Sequence, residues 1–257
     1  MIQLQQIDFI REGRNILQQV SLTMNPYEHW VILGKNGSGK TTLLEMMCGY
    51  LFPTRGTIEV LGNRYGQCDV REVRKQLGIT SQSLFEKLTP RDPVWEVVAT
   101  GEYAYLRMYE QVSQELKEKA EAMLERLQIA HLQNQPLGTL SQGERKKVML
   151  ARSLMADPRV LIMDEPCSGL DLFEREKLLE SLQRLQNQNL QIVYVTHHIE
   201  EIISLFTHVA LIEQGRIVAA GPKREVLTGE HLLQTFQVPL QVEWFNDRPW
   251  IKVLQEL

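Results

Sequence analysis

Apolar and polar positions alternate through the first two dozen residues. Ile2, Leu4, Ile7 and Phe9 precede a polar turn at Arg11-Glu-Gly-Arg14, and Ile16, Leu17, Val20 and Leu22 follow it. A period of two puts alternate side chains on one face, so the pattern predicts two antiparallel strands covered on one side. At Trp30-Val-Ile-Leu33 the alternation gives way to a short unbroken apolar run, which predicts a buried strand. That run ends in a glycine-rich loop. Thr41 to Cys48 then holds good helix formers and stops at Gly49. Further strands are predicted at Gly56–Leu61 and Leu77–Thr80.

From about Leu84 to Pro158 the period changes to that of helices. Val112, Leu116, Ala120, Met123, Leu124 and Leu127 form one apolar stripe, predicting an amphipathic helix over Val112–Ile129. A second helix is predicted from Ser141 to about Asp157, because the residue before Pro158 resists the helical conformation. Buried strands return at Val160–Met163 and Gln191–Thr196, with a helix over Leu172–Asn187 between them. Val238–Val253 alternates around an Asn246-Asp247 turn and reads as a small hairpin, whose Trp244 and Trp250 are expected to pack on the core. The chain therefore reads as α/β: a core over 1–83 and 158–235 with an N-terminal antiparallel β subdomain, a helical insertion subdomain over 84–157, and a short C-terminal β hairpin within 236–257.

Composition narrows this only a little. With 43% hydrophobic and 23% charged residues, the chain suits a soluble protein with a sizeable core. A net charge of -4 gives no argument for nucleic acid, whose binders usually carry a clear basic excess. No apolar run reaches the roughly 18 to 20 residues needed to span a bilayer, and the N-terminus lacks a signal-peptide pattern. Cys48, Cys68 and Cys167 are scattered, in no metal-ligand spacing, which fits a reducing cytoplasm.

The chemistry is carried by three short motifs. Gly34-Lys-Asn-Gly-Ser-Gly-Lys-Thr41 is a full match to the phosphate-binding loop, placed between a predicted strand and helix. Gly34, Asn36, Gly37, Ser38 and Gly39 let backbone N–H groups turn toward phosphate oxygens, and the helix starting at Lys40, Thr41 and Thr42 adds its positive end. Lys40 would reach the β- and γ-phosphates, and Thr41 would ligate Mg2+. This gives the core the expected fold of a P-loop NTPase. In Val160-Leu-Ile-Met-Asp164-Glu165, an acidic pair ends a buried strand, where open α/β sheets bind ligands. Asp164 would hold Mg2+ through water, and Glu165 would accept a proton from an attacking water. In Leu140-Ser-Gln-Gly-Glu144, Ser141 and Glu144 form a capping box. The box does not account for Gly143, which weakens a first turn but allows close approach of a phosphate.

Taken in order, Gly34–Thr41, Gln82, Leu140–Glu144, Val160–Glu165, Ser168-Gly-Leu-Asp171 and Thr196-His197 resemble the ATP-binding subunit of the ABC transporter family, through about residues 1 to 230. The resemblance implies a head-to-tail dimer enclosing two ATP molecules with Mg2+. Each ATP would lie between the phosphate loop of one copy and Ser141–Glu144 of the other. It implies that Gln82 senses Mg2+ and the attacking water, that Asp171 crosses the dimer interface, and that His197 contacts the γ-phosphate and positions the water of Glu165. His198 is read as surface. Two departures stand out. Gln142 replaces the first of two usual glycines, and Arg11 occupies the turn where an aromatic residue usually stacks on adenine, leaving Arg11 or Phe9 for that contact.

The resemblance further implies a cytoplasmic motor at the inner face of a membrane, driving a separate integral membrane permease. Leu88–Trp95 resembles the segment that grips such a permease; as plain structure it is a loop leading into a helix. The competing reading is a soluble ABC-type ATPase with a cytosolic partner, for example in cofactor assembly. A regulator without turnover is disfavoured because Glu165 and His197 are both present.

Overall fold

Strands Ile2–Arg11 and Arg14–Met24 pair antiparallel, from Ile2 with Met24 to Arg11 with Arg14. Ile2, Leu4, Ile7, Leu17, Val20 and Leu22 are buried, as the alternation predicts, while Phe9 and Ile16 are half-buried. Arg55–Val60 pairs with the other edge of the first strand, and Asn63–Arg64 completes a four-stranded sheet. The computed structural model describes residues 1–108, 112–186 and 189–254. It divides into two compact units, Met1–Arg74 with Gln191–Leu257, and Lys75–Leu190.

In the first unit Trp30–Leu33 is buried at every position. It lies parallel to Gln191–Thr196 on one side and His208–Glu213 on the other, with Leu33 opposite Thr196 and Leu211. Arg216–Pro222 pairs antiparallel outside His208–Glu213. Helix Lys40–Met47 follows the phosphate loop.

Just before Trp30, His29 is only 6% exposed, and its Nδ1 accepts a hydrogen bond from the Ile192 N–H at 3.2 Å. Burial holds its pKa below the ordinary histidine value. An unfolded chain takes up a proton here as pH falls through about 6.5, while the folded chain does not, so stability is present above that pH and lost below it. Between pH 7.5 and 5.5, urea unfolding should show stability falling by up to about 1.4 kcal/mol per pH unit below the unfolded pKa. His29→Gln should flatten that part of the profile; a profile unchanged by the substitution would remove His29 as its source.

In the second unit Leu77–Thr80 and Val160–Asp164 pair parallel, Leu77 with Val160 and Thr80 with Met163. The amphipathic helix runs Gln114–Arg126 rather than to Ile129. Gln128 takes a left-handed conformation (φ 61°), and the N–H groups of Gln128 and Ile129 bond back to Glu125 and Leu124. That closure ends the helix without a glycine. The next helix, Gln142–Leu154, starts at the expected capping box on Ser141.

Helix Leu172–Gln183 stops short of the sequence expectation. Leu185 and Gln186 bond three residues back, a tighter turn that buries Leu185; Asn187, the expected end, lies outside the described residues. Leu88–Trp95 is a loop leading into helix Val94–Ala99. Trp95 is half-buried, with the Lys117 ammonium 5.2 Å from its ring centre.

The C-terminal hairpin, in the first unit, pairs Leu240–Phe245 with Arg248–Val253. Asn246 and Asp247 both have positive φ, as a two-residue turn of this hand requires. The tryptophans depart from expectation. Trp250 is 41% exposed and Trp244 half-buried. Instead of entering the core they carry arginines, Arg224 4.4 Å above Trp244 and Arg248 5.1 Å above Trp250. Pro249 is the buried residue of the outer strand, and positions 255–257 of the expected tail lie outside the described residues. Among the described residues no helix is long and apolar enough to cross a membrane.

Candidate functional site

The first unit builds the phosphate loop at the carboxyl end of Trp30–Leu33. Gly34 can only be glycine, since a Cβ there would lie 2.2 Å from the Ile212 carbonyl oxygen. Gly37 and Gly39 take positive φ (80° and 104°), which turns the loop over the start of helix Lys40–Met47. That helix has no side-chain N-cap. Asn36 and Gly37 are exposed, Thr41 is exposed on the first turn, and Thr42 is half-buried. Lys40 is 5% exposed, and its ammonium donates to the carbonyls of Gly34 (2.8 Å) and Lys35 (2.9 Å).

Ser38 tests what the loop can hold. Its hydroxyl oxygen is buried and has no hydrogen-bond partner among the described residues, an arrangement that costs about 1–3 kcal/mol. An anion cradled by the loop N–H groups would take up that hydroxyl. The residues present therefore fit a phosphate.

The register of Leu33 with Thr196 sets the next residues, Gly34 and His197, side by side at one edge of the sheet. His197 is half-buried, with its ring 4.0 Å from that of His198. The His198 side chain is 43% exposed, and its Nδ1 lies 3.7 Å from a Glu200 carboxylate oxygen, consistent with a surface position. Sequence reasoning missed Glu201. This carboxylate is 2% exposed and accepts hydrogen bonds from the Thr196 (2.6 Å) and Tyr194 (2.8 Å) hydroxyls. Thr196 also accepts from the His198 N–H at 3.0 Å, so the chain leaves the strand through a fixed polar knot. Arg11 is exposed at the end of its strand, and Phe9 is half-buried.

In the second unit the register of Thr80 with Met163 brings Gln82 and Asp164 to the ends of adjacent strands. Both line a cleft with Thr80, Phe85, Lys146 and Met163. Gln82 donates from its amide to Glu86 at 3.1 Å. Glu165 is half-buried and holds φ 44°, a left-handed conformation uncommon for a residue with a side chain. Lys146 is a second group the sequence reading missed. Burial lowers its pKa, against the charges of Cys167, Asp164 and Glu165, which raise it, so a partly desolvated cation stands near the acidic pair.

Ser141 and Glu144 form the capping box in full. The Ser141 oxygen accepts from the Glu144 N–H at 3.3 Å, and the Ser141 N–H and hydroxyl each donate to the Glu144 carboxylate at 2.8 Å. Those bonds hold the Glu144 carboxyl below the usual range. Gly143 is covered by Glu174: a Cβ at position 143 would lie 2.1 Å from a Glu174 carboxylate oxygen. Asp171 is exposed and caps helix Leu172–Gln183, accepting from the Glu174 N–H at 2.9 Å.

The model of the ABC transporter family matches residues 17–168, more than half of the chain. The ABC transporter ATP-binding protein YlmA of Bacillus subtilis is 41% identical over 254 residues, covering 98% of this chain and 96% of its own. A Streptococcus mutans protein of the same description is 35% identical over 250 residues, 96% of each chain. Among solved structures, CbiO1 of Clostridium perfringens, part of the ABC transporter complex CbiONQ, superposes with a TM-score of 0.78 at 25% identity, over 91% of this chain and 92% of that one.

Proposed function

Because the chain belongs to the ATP-binding proteins of the ABC transporter family, we propose that it hydrolyses Mg-ATP as a head-to-tail dimer and drives a separate membrane permease from the cytoplasmic side. The observation that carries nucleotide binding is the loop Gly34–Gly39, with the buried Ser38 hydroxyl left for an anion to engage. Lys40 and the loop N–H groups hold the β- and γ-phosphates. Thr41, Gln82 and Asp164 would hold Mg2+, which when bound offsets phosphate charge. Glu165 accepts the proton of the attacking water, and His197 orients that water. Arg11, exposed at its strand end, or the half-buried Phe9 would contact adenine.

Ser141 and Gly143 of a second copy complete the site, and Asp171 crosses between the copies. The Ser141 hydroxyl has one proton, and it is engaged by Glu144; giving it to a phosphate oxygen means breaking that bond. Closure around ATP and opening after hydrolysis form a cycle able to move another protein. CbiO1 works within an ABC transporter complex, and a similar pairing with a permease is proposed here, with Leu88–Trp95 as the docking segment.

Affinity purification of the tagged Glu165→Gln protein from detergent-solubilised cells of its own source, with Mg-ATP present, tests the partner. A stoichiometric polytopic membrane protein is the expected companion. Recovery of soluble proteins alone would replace the permease with a cytosolic partner.

A further inference from the structure

The C-terminal hairpin lies beyond the motifs used so far, yet it reaches the segment that carries His197. Arg248, first residue of its second strand, donates from Nε to the Glu200 carbonyl oxygen at 2.5 Å. Asp247 in the turn pairs with the Lys223 ammonium at 2.7 Å, and its carbonyl oxygen accepts from the same ammonium at 2.9 Å. Lys223 in turn donates to the Ile203 carbonyl oxygen at 3.5 Å. Arg224 adds a second cation to Asp247 at 2.9 Å. Burial raises the Asp247 pKa, but Lys223 and then Arg224 outweigh it and hold the carboxyl below its usual range.

These contacts converge on one short stretch. Residues 197–203 are tied to the strand from inside by Glu201, through Thr196 and Tyr194. From outside, Arg248 ties them at Glu200 and Lys223 ties them at Ile203. The Lys223 side chain is 7% exposed, so a cation there needs a carboxylate, and the hairpin turn supplies it. A surface hairpin whose only task was to cover apolar side chains would not need this. Trp250, Ile251 and Val253 instead stay more than two-fifths exposed.

We propose that the hairpin sets the turnover rate, with Arg248 and the Lys223–Asp247 pair as positioning residues that fix the His197 segment for hydrolysis. The proposal rests on the reading of His197 given above. It makes the hairpin a control point for the rate of hydrolysis that leaves nucleotide binding alone, since its ties fall on Glu200 and Ile203 rather than on Gly34–Thr42.

The test is Arg248→Ala in the full-length chain, with Arg248→Lys as its conservative partner. Arg248→Ala should lower kcat for ATP hydrolysis about tenfold or more, as misplaced reacting groups do. KM and the affinity for a fluorescent ATP analogue should stay within about twofold of wild type, because the lost interaction acts in the transition state. Hydrogen exchange should quicken over residues 197–203 and not over the phosphate loop. Arg248→Lys, which can still donate to the Glu200 carbonyl, should recover most of the rate.

Wild-type turnover in Arg248→Ala would overturn the proposal. So would a loss of rate accompanied by equal loss of nucleotide affinity or faster exchange throughout the unit, which would mark a general structural role. His197→Ala separates the two layers: if that variant is also fully active, the reading of His197 has failed.

Discussion

Glu165→Gln should lower ATP hydrolysis by about two to four powers of ten, the range general-base catalysis supplies, while the protein folds as before. Glutamine has nearly the shape of glutamate but accepts no proton. The backbone supports the expectation of an intact fold. Glu165 sits at φ 44°, with its carbonyl accepting from the Ser168 N–H at 3.0 Å, and both features survive an isosteric change. A left-handed L-residue costs about 1–2 kcal/mol, so the chain bears strain at the position where the acid is wanted. Phosphate release measured with excess Mg-ATP gives the rate. Gel filtration of the same variant with ATP should show the dimer, because nucleotide enters and is not consumed. Turnover within a few-fold of wild type would remove Glu165 from the role of base.

Lys40→Ala should abolish hydrolysis and weaken nucleotide binding about a hundredfold, the effect of losing roughly 3 kcal/mol when one side of a desolvated charge contact is truncated. Lys40 is buried and already donates to two carbonyls of the loop. On the proposed reading, its removal takes away a positive charge meant for the phosphates, and it also takes away two ties to loop carbonyls. Titration with a fluorescent ATP analogue reads the affinity. The rise in melting temperature that ATP gives the wild type should be lost as well. Unchanged affinity would sink the assignment of Gly34–Thr41 as a phosphate loop.

The parts of the fold legible in the sequence were those in which local pattern and tertiary position agree. Period-two alternation at Ile2–Leu22 and unbroken runs at Trp30–Leu33 and Gln191–Thr196 became strands because their faces are covered as the patterns require. The run His208–Glu213 obeys the same rule, with four buried residues in a row, and was passed over. The tryptophans misled. Size favours burial, but the hairpin register sets Trp244 opposite Pro249 and Trp250 opposite Glu243. Alternation then gives the two rings opposite faces, each beneath an arginine.

For the candidate site, the motif residues could be named from spacing because phosphate loops and capping boxes are local. Glu201 and Lys146 could not. Glu201 matters through hydroxyls five and seven residues away across a turn, and Lys146 through the acidic strand end near it. Both relations exist only once the chain is folded. Gly143 shows a mixed case. A small residue was expected for close approach of a phosphate, and the structure shows the Glu174 carboxylate lying against it.

The strand Trp30–Leu33 has a consequence for how the protein is made. The first antiparallel pair closes between near neighbours in the chain, Arg11 with Arg14. Trp30 must instead wait for Val193 and His208, and the whole of Lys75–Leu190 is synthesised between them. Closing so long a loop is entropically costly and slow compared with forming a hairpin. The phosphate loop is therefore written early and folded late. A nascent chain that ends before Gln191 carries every residue from Gly34 to Thr42 without either of the strands that hold them in place.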